Sequence, residues 1–431
     1  MPVIKDSEFV RFRTSKRKFW FTYLEFFWMF LLLCIFCYFC KEILHKTVDD
    51  DGENRYNIER IEYLELKSKK VESEQINNTF NHNIHIFYYA WYANPEIDGE
   101  FRHWNYKYVP AWEQNDHVAS PIDLHYPPID IGSNYYPTFG CYSSNDPEII
   151  DLHMKLIRDA GIGVLVISWK PPNFTDSPYN ILQTYFDVAQ KYNLKITIHI
   201  EHYQGRNVVN LREHLRIFLN RFGNHPSLYR IRKFKTKSLK KLPLIYIYDS
   251  YLIAKDEWKQ IFGKEGQLSV RNTEIDAVFI GLLADVLHRD HIKQSQFDGF
   301  YTYFAANDFT YGSTWENWRS LVNFANQNEL IFIPSVSPGY IDTRVRPWNT
   351  QNIKNRQFGE YYNLSWKSAI ELKPPFISIT SFNDWHEGTQ IEPASPKAQS
   401  NFDSLHYEPH GPYFYLSLTK EWINIFNSLW K

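Results

Sequence analysis

Residues 146–169 read Asp-Pro-Glu-Ile-Ile-Asp-Leu-His-Met-Lys-Leu-Ile-Arg-Asp-Ala-Gly-Ile-Gly-Val-Leu-Val-Ile-Ser-Trp. Asp146 is suited to cap a helix with Pro147 in its first position, and Gly161 is suited to end it. Apolar residues recur along the predicted helix at Ile149, Leu152, Met154 and Leu156. The run 163–169 follows at once and has the composition of a buried strand. This stretch therefore predicts a helix leading directly into a strand, which is the repeating unit of an α/β protein.

From residue 84 onward, short apolar or aromatic runs alternate with longer amphipathic stretches. Eight runs are typical of buried strands: Ile84–Trp91, Gly163–Trp169, Lys195–Glu201, Leu244–Asp249, Ala277–Leu283, Gly299–Phe304, Leu330–Val336 and Pro375–Ser381. Eight strands with helical connections predict one (β/α)8 barrel over residues 84–431, with long insertions in its early loops. An open doubly wound sheet is the alternative. Such a sheet usually has a glycine-rich phosphate turn after its first strand, whereas Tyr88–Tyr92 contains no glycine.

The N-terminal part has a different character. Residues 1–18 are basic, and residues 19–40 are almost wholly apolar, interrupted only by Glu25. A cleaved signal peptide is the alternative to a membrane anchor, but no small-residue cleavage site follows the apolar run. We expect a cytosolic tail (1–18), a membrane anchor (19–40) and a polar stalk (41–83). The basic flank predicts type II topology, with the barrel on the lumenal side.

Glycosylation sequons and cysteines give further information on the predicted lumenal domain. Three N-x-S/T sequons lie beyond the predicted anchor, and we predict N-glycosylation at Asn77, Asn173 and Asn363. Of the four cysteines, only Cys141 lies outside the apolar run. The predicted barrel therefore has no intrachain disulfide framework, and its stability has to come from its core.

The composition narrows the class of ligand. A formal net charge of −2 lacks the basic excess of a nucleic-acid-binding protein. Aromatic residues make up 18% of the chain, with 14 Trp, 30 Tyr and 32 Phe. Beyond a large core, such a surplus suits a carbohydrate cleft, because sugar C–H faces lie flat on aromatic rings. The sequence contains no dinucleotide fingerprint, phosphate loop or H-E-x-x-H motif, so we expect neither a cofactor nor a metal.

The chemistry is expected where the last predicted strand ends, because barrel enzymes build their sites at the C-terminal ends of the strands. There the chain reads Ser381-Phe-Asn-Asp-Trp-His-Glu-Gly-Thr389. In an extended chain Asp384 and Glu387 would point to opposite faces. In a turn or helix start they would share a face, with Cβ atoms roughly 5–6 Å apart. Two carboxylates so placed are suited to act on one glycosidic bond.

Five segments carry a resemblance to a known family: 89–95, 199–201, 298–304, 331–352 and 378–393. Over nearly all of residues 84–431 the chain resembles the Golgi endo-α-1,2-mannosidase family of glycoside hydrolases. The resemblance implies a retaining, metal-independent enzyme that cleaves an α-1,2-mannosyl bond within glucosylated high-mannose N-glycans and releases glucosyl-mannose. It also implies a Golgi membrane protein of type II topology.

The resemblance further implies that the substrate's own 2-hydroxyl attacks C1, giving a 1,2-anhydro intermediate. The base that takes the 2-hydroxyl proton falls on Asp384, and the acid/base that protonates the departing oxygen falls on Glu387. Around this pair we expect seven substrate-binding residues: Tyr89, His103, Trp169, Glu201, Tyr248, Tyr303 and Asn383. Trp169 would form a stacking wall, and Asn383 would orient the reacting mannose. For these supporting roles the alternative is packing within the barrel, or a hydrogen bond that holds another residue of the site.

The sequence departs from the family at three positions. Asp384 stands where the family has Glu, His202 where Pro is usual, and Lys170 where a further aromatic residue is commoner. Because Asp is one methylene shorter, a catalytically weakened or silent glycan-binding homologue is the alternative function. A metal-dependent glycosyltransferase shares the topology but usually needs a D-x-D motif, and the match is Asp49–Asp51 in the predicted stalk.

Overall fold

The computed structural model describes residues 80–107, 125–233, 240–399 and 402–430. The predicted tail, the predicted anchor and nearly all of the predicted stalk lie outside these ranges, as does Asn77. Within the described ranges, no helix is both long enough and apolar enough to cross a membrane.

Twelve strands are found in the described residues: β1 (Asn81–Tyr88), β2 (Ile162–Trp169), β3 (Lys195–Ile200), β4 (Arg230–Arg232), β5 (Lys241–Ile247), β6 (Val278–Leu282), β7 (Gly299–Tyr301), β8 (Ile331–Ile333), β9 (Ser335–Val336), β10 (Ile377–Ile379), β11 (Ala398–Gln399) and β12 (Phe402–Asp403). The main sheet has the order β8-β7-β6-β5-β3-β2-β1-β10-β9, with β4 antiparallel to β5 at its side. The strands along this path pair in parallel. β11 and β12 form a separate antiparallel pair.

The sheet closes into a barrel through a strand that changes partners at a proline. β8 pairs with β7, β9 pairs with β10, and only Pro334 separates the two. Pro334 has no N–H to donate, but its carbonyl accepts the amide of Ser378 at 3.0 Å. With β8 and β9 counted as one, the barrel has eight strands at the eight predicted places. The prediction of a (β/α)8 barrel is confirmed, and its first strand begins at Asn81 rather than Ile84.

The helices of the described residues are α1 (Pro95–Asp98), α2 (Pro147–Asp159), α3 (Leu182–Lys191), α4 (Val208–Phe222), α5 (Lys255–Phe262), α6 (His288–Gln294), α7 (Trp318–Gln327), α8 (Glu360–Ile370) and α9 (Phe414–Ser428). α2 starts as predicted, because the Asp146 side chain accepts the amide of Glu148 and Pro147 takes the first position. Its fully buried residues are Ile150, His153, Met154 and Ile157. The buried face is thus rotated slightly from the apolar positions read in the sequence, of which only Met154 is fully buried.

Alternation along the strands separates two apolar layers. In β2, Val164 and Val166 belong to the cluster inside the barrel, whereas Leu165, Ile167 and Trp169 belong to the cluster between the barrel and its helices. Successive side chains of a strand point to opposite faces, so Ser168 points inward and Trp169 outward. Because both faces of each strand are buried, the β2 sequence is almost continuously apolar. The sequence therefore does not show which side chains face into the barrel.

Candidate active site

Asp384 and Glu387 lie in a tight turn after β10, at the C-terminal end of the barrel. The Asp384 amide donates to the Ser381 hydroxyl at 2.8 Å, and the Glu387 amide donates to Oδ1 of Asp384 at 3.2 Å. Asp384 is buried, and Glu387 is partly exposed to the cleft. The turn therefore brings both carboxyl groups to one place, which is the arrangement expected for a pair acting on one bond.

A cation from the loop after β9 contacts this pair. Nη1 of Arg346 donates to Oε1 of Glu387 at 3.2 Å and to Oδ2 of Asp342 at 3.1 Å. The fully buried Asp342 also accepts hydrogen bonds from the Tyr340 hydroxyl at 2.8 Å and from Nδ2 of Asn349 at 3.0 Å. The guanidinium of Arg346 is thus fixed beside Glu387. Sequence reasoning gave Arg346 no role, although it lies in the segment 331–352 and follows a barrel strand.

The two catalytic candidates have different electrostatic surroundings. Burial raises the pKa of Asp384 well above its usual range, and the nearby Glu387 raises it further. Burial also raises the pKa of Glu387, but Arg346 opposes this shift. The guanidinium contacts Glu387 and not Asp384, so it opposes the rise in pKa more directly at Glu387.

Three tyrosines converge on the carboxyl pair. The hydroxyls of Tyr89 and Tyr303 are hydrogen-bonded to each other. Burial raises the pKa of both phenols, and Asp384 and Glu387 are among the charges that raise them further. The pKa of Tyr248 is raised as well, first by burial and then by the charges of Asp249 and Glu387. These phenols are therefore neutral hydrogen-bond donors at the bottom of the cleft.

Tyr303 occupies a strained backbone conformation. Its φ is +49°, which is unfavourable for a bulky residue. The Tyr303 amide donates to the Ser335 hydroxyl at 2.7 Å, and its carbonyl accepts from the Thr380 hydroxyl at 2.6 Å. Two neighbouring strands thus hold the residue in the conformation that directs its phenol at Tyr89.

Glu201 supplies a third carboxylate at the cleft. Its Oε1 lies 3.0 Å from Nδ1 of His199, whose Nε2 lies 2.5 Å from the Tyr301 hydroxyl. Although burial opposes ionisation, His199 and a hydrogen bond from Ser168 hold the pKa of Glu201 below its usual value. Glu201 is therefore ionised at neutral pH and suited to accept hydrogen bonds from sugar hydroxyls.

An aromatic stack lies beside His386, in the turn that carries Asp384. The His103 ring lies 4.5 Å from Trp91 and 5.5 Å from Tyr106, nearly parallel to both. Nε2 of His103 lies 3.1 Å from Oδ1 of Asp176, and Lys170 lies 3.7 Å from the other oxygen of that carboxylate. The predicted residue His103 and the family departure Lys170 thus meet at Asp176, which sequence reasoning did not single out.

A further buried acid supports the turn from below. Oε2 of the fully buried Glu392 accepts from Nε1 of Trp385 at 2.9 Å and from the Tyr142 hydroxyl at 2.8 Å. Its Oε1 lies 3.2 Å from Nε2 of His153, on α2. Trp385 lies between the two catalytic candidates in the sequence, so this network fixes the underside of their turn.

Beside Glu387 the cleft opens into a cavity of about 140 Å³. Its lining residues are Tyr248, Phe304, Ala305, Ala306, Phe309, Tyr340, Arg346, Asn349, Asn352 and Glu387. One side is apolar and aromatic, and the other carries hydrogen-bonding groups. Such a lining suits a sugar, whose C–H faces pack on rings while its hydroxyls find polar partners.

Residues 79–428 match the family model described as glycosyl hydrolase family 99. The chain belongs to this family. It is 46% identical over 368 residues to the Mus musculus protein named glycoprotein endo-alpha-1,2-mannosidase, covering 84% of this chain and 79% of the mouse protein. A Xenopus laevis protein of the same name is 45% identical over 346 residues, covering 79% and 76% of the two chains.

A solved structure supports the same assignment. The GH99 endo-alpha-mannosidase from Bacteroides thetaiotaomicron matches with a TM-score of 0.75 and 40% identity, covering 81% of this chain and 99% of that one. The chain is therefore a glycoside hydrolase with the family 99 barrel. The prediction of an endomannosidase-type hydrolase from the resemblance is confirmed at the level of the family.

Two predicted substrate-binding roles in this hydrolase are wrong. Trp169 is fully buried, with its ring 5.8 Å from Phe218 of α4, so it packs outside the barrel and forms no wall of the cleft. Asn383 is also fully buried. Its Oδ1 accepts the Tyr89 amide at 2.8 Å and its Nδ2 donates to the Tyr89 carbonyl at 2.9 Å. Asn383 therefore fixes Tyr89 and leaves no amide group for the substrate.

The two described sequons of the hydrolase differ in their surroundings. Asn173 is exposed in the loop that also carries Asp176. Asn363 lies within α8, and its Oδ1 accepts from Nε1 of Trp422 at 2.9 Å. Glycosylation at both asparagines stays a prediction, and the exposed loop offers the more accessible acceptor.

Replacement of Trp169 by Phe tests its assignment to the core of the hydrolase. The smaller ring leaves space against Phe218, and we expect a loss of about 1–3 kcal/mol in the free energy of unfolding, measured by denaturant titration. KM for a mannoside substrate should stay at the parent value. A several-fold rise in KM at unchanged stability would instead show that Trp169 contacts the substrate.

Replacement of Arg346 by Met tests the electrostatics of the pair. Loss of the cation raises the pKa of Glu387. If Glu387 acts as the protonated acid, it keeps its proton to higher pH, and the alkaline limb of kcat/KM against pH moves upward. The control Lys354→Met removes a cation that lies 3.9 Å from Asp308, and it should leave the limb in place. Movement of the acidic limb instead would mean that Glu387 has to be ionised.

Proposed function

We propose that this chain is a retaining endo-α-1,2-mannosidase that cleaves glucosylated high-mannose N-glycans and releases glucosyl-mannose. The observation that carries the proposal is the placement of Asp384 and Glu387 in one turn at the end of the last barrel strand. The proposal is supported by membership of glycosyl hydrolase family 99 and by relatives named glycoprotein endo-alpha-1,2-mannosidase. The carboxyl pair supports glycosidase chemistry, and the names of the relatives support an α-1,2-mannosyl linkage in a glycoprotein glycan.

The first step forms a 1,2-anhydro sugar. Asp384 takes the proton of the mannose 2-hydroxyl, and the 2-oxygen attacks C1 as the C1–O bond to the next sugar breaks. Glu387 gives its proton to the departing oxygen. In the second step water attacks C1, Glu387 takes a proton from this water, and Asp384 returns a proton to the 2-oxygen. Two inversions at C1 give overall retention, with the substrate's own hydroxyl as nucleophile.

These roles require a proton on Glu387 and none on Asp384, whereas the Arg346 guanidinium beside Glu387 favours the ionised form of Glu387. A bound mannose supplies the difference. Its 2-hydroxyl donates to Asp384 and favours the ionised carboxylate, while the bridging oxygen accepts from Glu387 and favours the protonated form. Binding of the substrate thus favours the proton on Glu387, the group that has to deliver it.

The surrounding side chains complete the site. Ionised Glu201 accepts hydrogen bonds from hydroxyls of the reacting mannose, and the neutral phenols of Tyr89, Tyr248 and Tyr303 donate to sugar or carboxylate oxygens. Arg346 limits the negative charge that collects when both acids lose their protons. Each of these groups is held by partners within the protein, so little reorganisation is needed when the substrate binds.

Asp384 keeps a catalytic carboxylate in the turn, and neither the comparisons nor the described residues favour a binding-only homologue. The shorter side chain is held by the turn itself, since Oδ1 accepts the Glu387 amide. The substituted position is therefore ordered and directed at the partner acid. We propose that Asp384 serves as the base.

The test is digestion of a labelled monoglucosylated high-mannose glycan by the purified protein. We expect the parent to release glucosyl-mannose and Glu387→Gln and Asp384→Asn to lose on the order of 100-fold or more in rate. Asp384→Glu, which restores the family residue, should remain active. Product from Asp384→Glu with none from the parent would show that the natural chain is silent, and no product from either would refute the assigned substrate.

We also propose that the enzyme is a type II membrane protein of the Golgi with its barrel in the lumen. Support comes from the basic segment 1–18, the apolar segment 19–40 and the sequons that follow them. In cells, the C-terminus should be protected from protease in sealed vesicles, and the protein should stay with membranes after carbonate extraction. Release of the protein by carbonate would contradict a membrane-spanning anchor.

A further inference from the structure

Arg356 is a buried cation that the reaction does not use. It is only 7% exposed, and its guanidinium carbon lies 4.6, 5.0 and 4.5 Å from the ring centroids of Tyr135, Tyr407 and Tyr415. Among the described residues, no carboxylate lies within ion-pair distance of it. Burying a cation without an acid is costly. Here the cost is offset by three aromatic faces and by hydrogen bonds to backbone carbonyls.

The carbonyls that Arg356 binds belong to the catalytic turn. Its Nη2 donates to the Gly388 oxygen at 2.9 Å and to the Gln390 oxygen at 2.7 Å. Gly388 directly follows Glu387 and has a φ of +61°. A Cβ added at Gly388 would lie 2.7 Å from the carbonyl oxygen of Ile341, so a side chain at this position would clash with that residue. Arg356 thus fixes the chain where it leaves the proposed acid catalyst.

The chain adopts an unfavourable backbone to bring Arg356 to this place. The three residues that follow it, Gln357, Phe358 and Gly359, have φ values of +45°, +53° and +103°. The first two are not glycine, and such conformations persist only where the surroundings enforce them. Phe358 is 65% exposed, so burial of its ring does not compensate for the strain. The buried contacts of Arg356 lie directly before this strained segment and hold its start in place.

Two arginines therefore hold Glu387 in different ways. Arg346 contacts the Glu387 carboxylate, while Arg356 holds the backbone beyond it and touches neither catalytic carboxyl. On the other side, the Glu387 carbonyl accepts the amide of Ile341 at 2.9 Å. With Arg356 removed, the segment after Glu387 keeps its contact with Ile341 and the hydrogen bond from the Tyr407 hydroxyl to the Gln390 carbonyl at 3.2 Å. It loses the side-chain donor at the Gly388 carbonyl and one of the two at the Gln390 carbonyl.

We propose that Arg356 is a positioning residue of this hydrolase, which sets the place of the Glu387 carboxyl by clamping the two carbonyls that follow it. The proposal rests on the proposed function for the role of Glu387. A misplacement of about 1 Å at a catalytic group costs on the order of 100-fold in rate. Loss of the clamp therefore lowers kcat, while binding by the cleft walls, and with it KM, changes little.

The test compares Arg356→Met, Arg356→Lys and Tyr362→Phe in the full-length protein. Tyr362 is buried between α8 and α9, and its hydroxyl bonds that of Thr419 at 3.0 Å. The variant Tyr362→Phe thus removes a buried hydrogen bond without contact to the catalytic turn. We expect Arg356→Met to lower kcat about 10- to 100-fold with a nearly constant KM. The kcat of Arg356→Lys should fall less, and the kcat of Tyr362→Phe should hardly fall. We expect this order even if the melting temperatures of the variants differ.

Hydrogen exchange supplies a readout independent of activity. The Ser381 amide donates to the Thr389 carbonyl and the Ile391 amide to the Ser381 carbonyl, at 2.9 and 3.0 Å. These amides should exchange faster in Arg356→Met than in Tyr362→Phe. If Arg356→Met does not fold, both kcat and hydrogen exchange are measured on Arg356→Lys instead.

A folded Arg356 variant with parent-like kcat and parent-like exchange would overturn the clamp. A fall in kcat without faster exchange in the turn would also overturn it, because Arg356 would then act by another route. If the parent itself cuts no glycan, the proposed function fails. The hydrogen-exchange measurement alone then tests whether Arg356 holds the turn.

Discussion

Two carboxyl groups, three residues apart in a buried turn, impose the main physical demand on this molecule. Each resists ionisation because it is removed from water, and each makes ionisation of the other harder. In the described part of the chain, Arg346 is the cation that contacts this pair directly, and the other supports hold the turn in place. Ser381 holds the start of the turn, Glu392 its underside through Trp385, and Arg356 its exit. The barrel provides the frame from which these side chains can reach one segment.

The barrel itself was predictable because its signals are local. Runs of buried strand residues, a helix cap at Asp146 and a terminating Gly161 are visible within a few positions of the sequence. The catalytic turn was predictable for a related reason, since barrel sites form where strands end and a spacing of three places two acids on one face of a turn. Both inferences need only short stretches of chain.

The roles that failed depend on information the sequence does not display. Trp169 and Ser168 are adjacent in a strand buried on both faces, so composition does not show which of them faces the cleft. Asn383 looks like a polar ligand at a strand end, but its partner is the backbone of Tyr89, 294 positions earlier. Arg346 and Arg356 were overlooked for the same reason, because the groups that they hold in the catalytic turn lie in another loop. Side-chain pairing across the barrel mouth is a tertiary property, and local patterns do not report it.

The bond between Asn383 and Tyr89 joins the loop after the first strand to the loop after the last. Neither acid has its final surroundings until nearly the whole chain has been made and the barrel has closed on itself. Contacts of such long sequence separation form late, because the entropy of closing a long loop has to be overcome first. A growing or half-folded chain therefore has no working site. The hydrolase gains activity in the same event that completes its architecture.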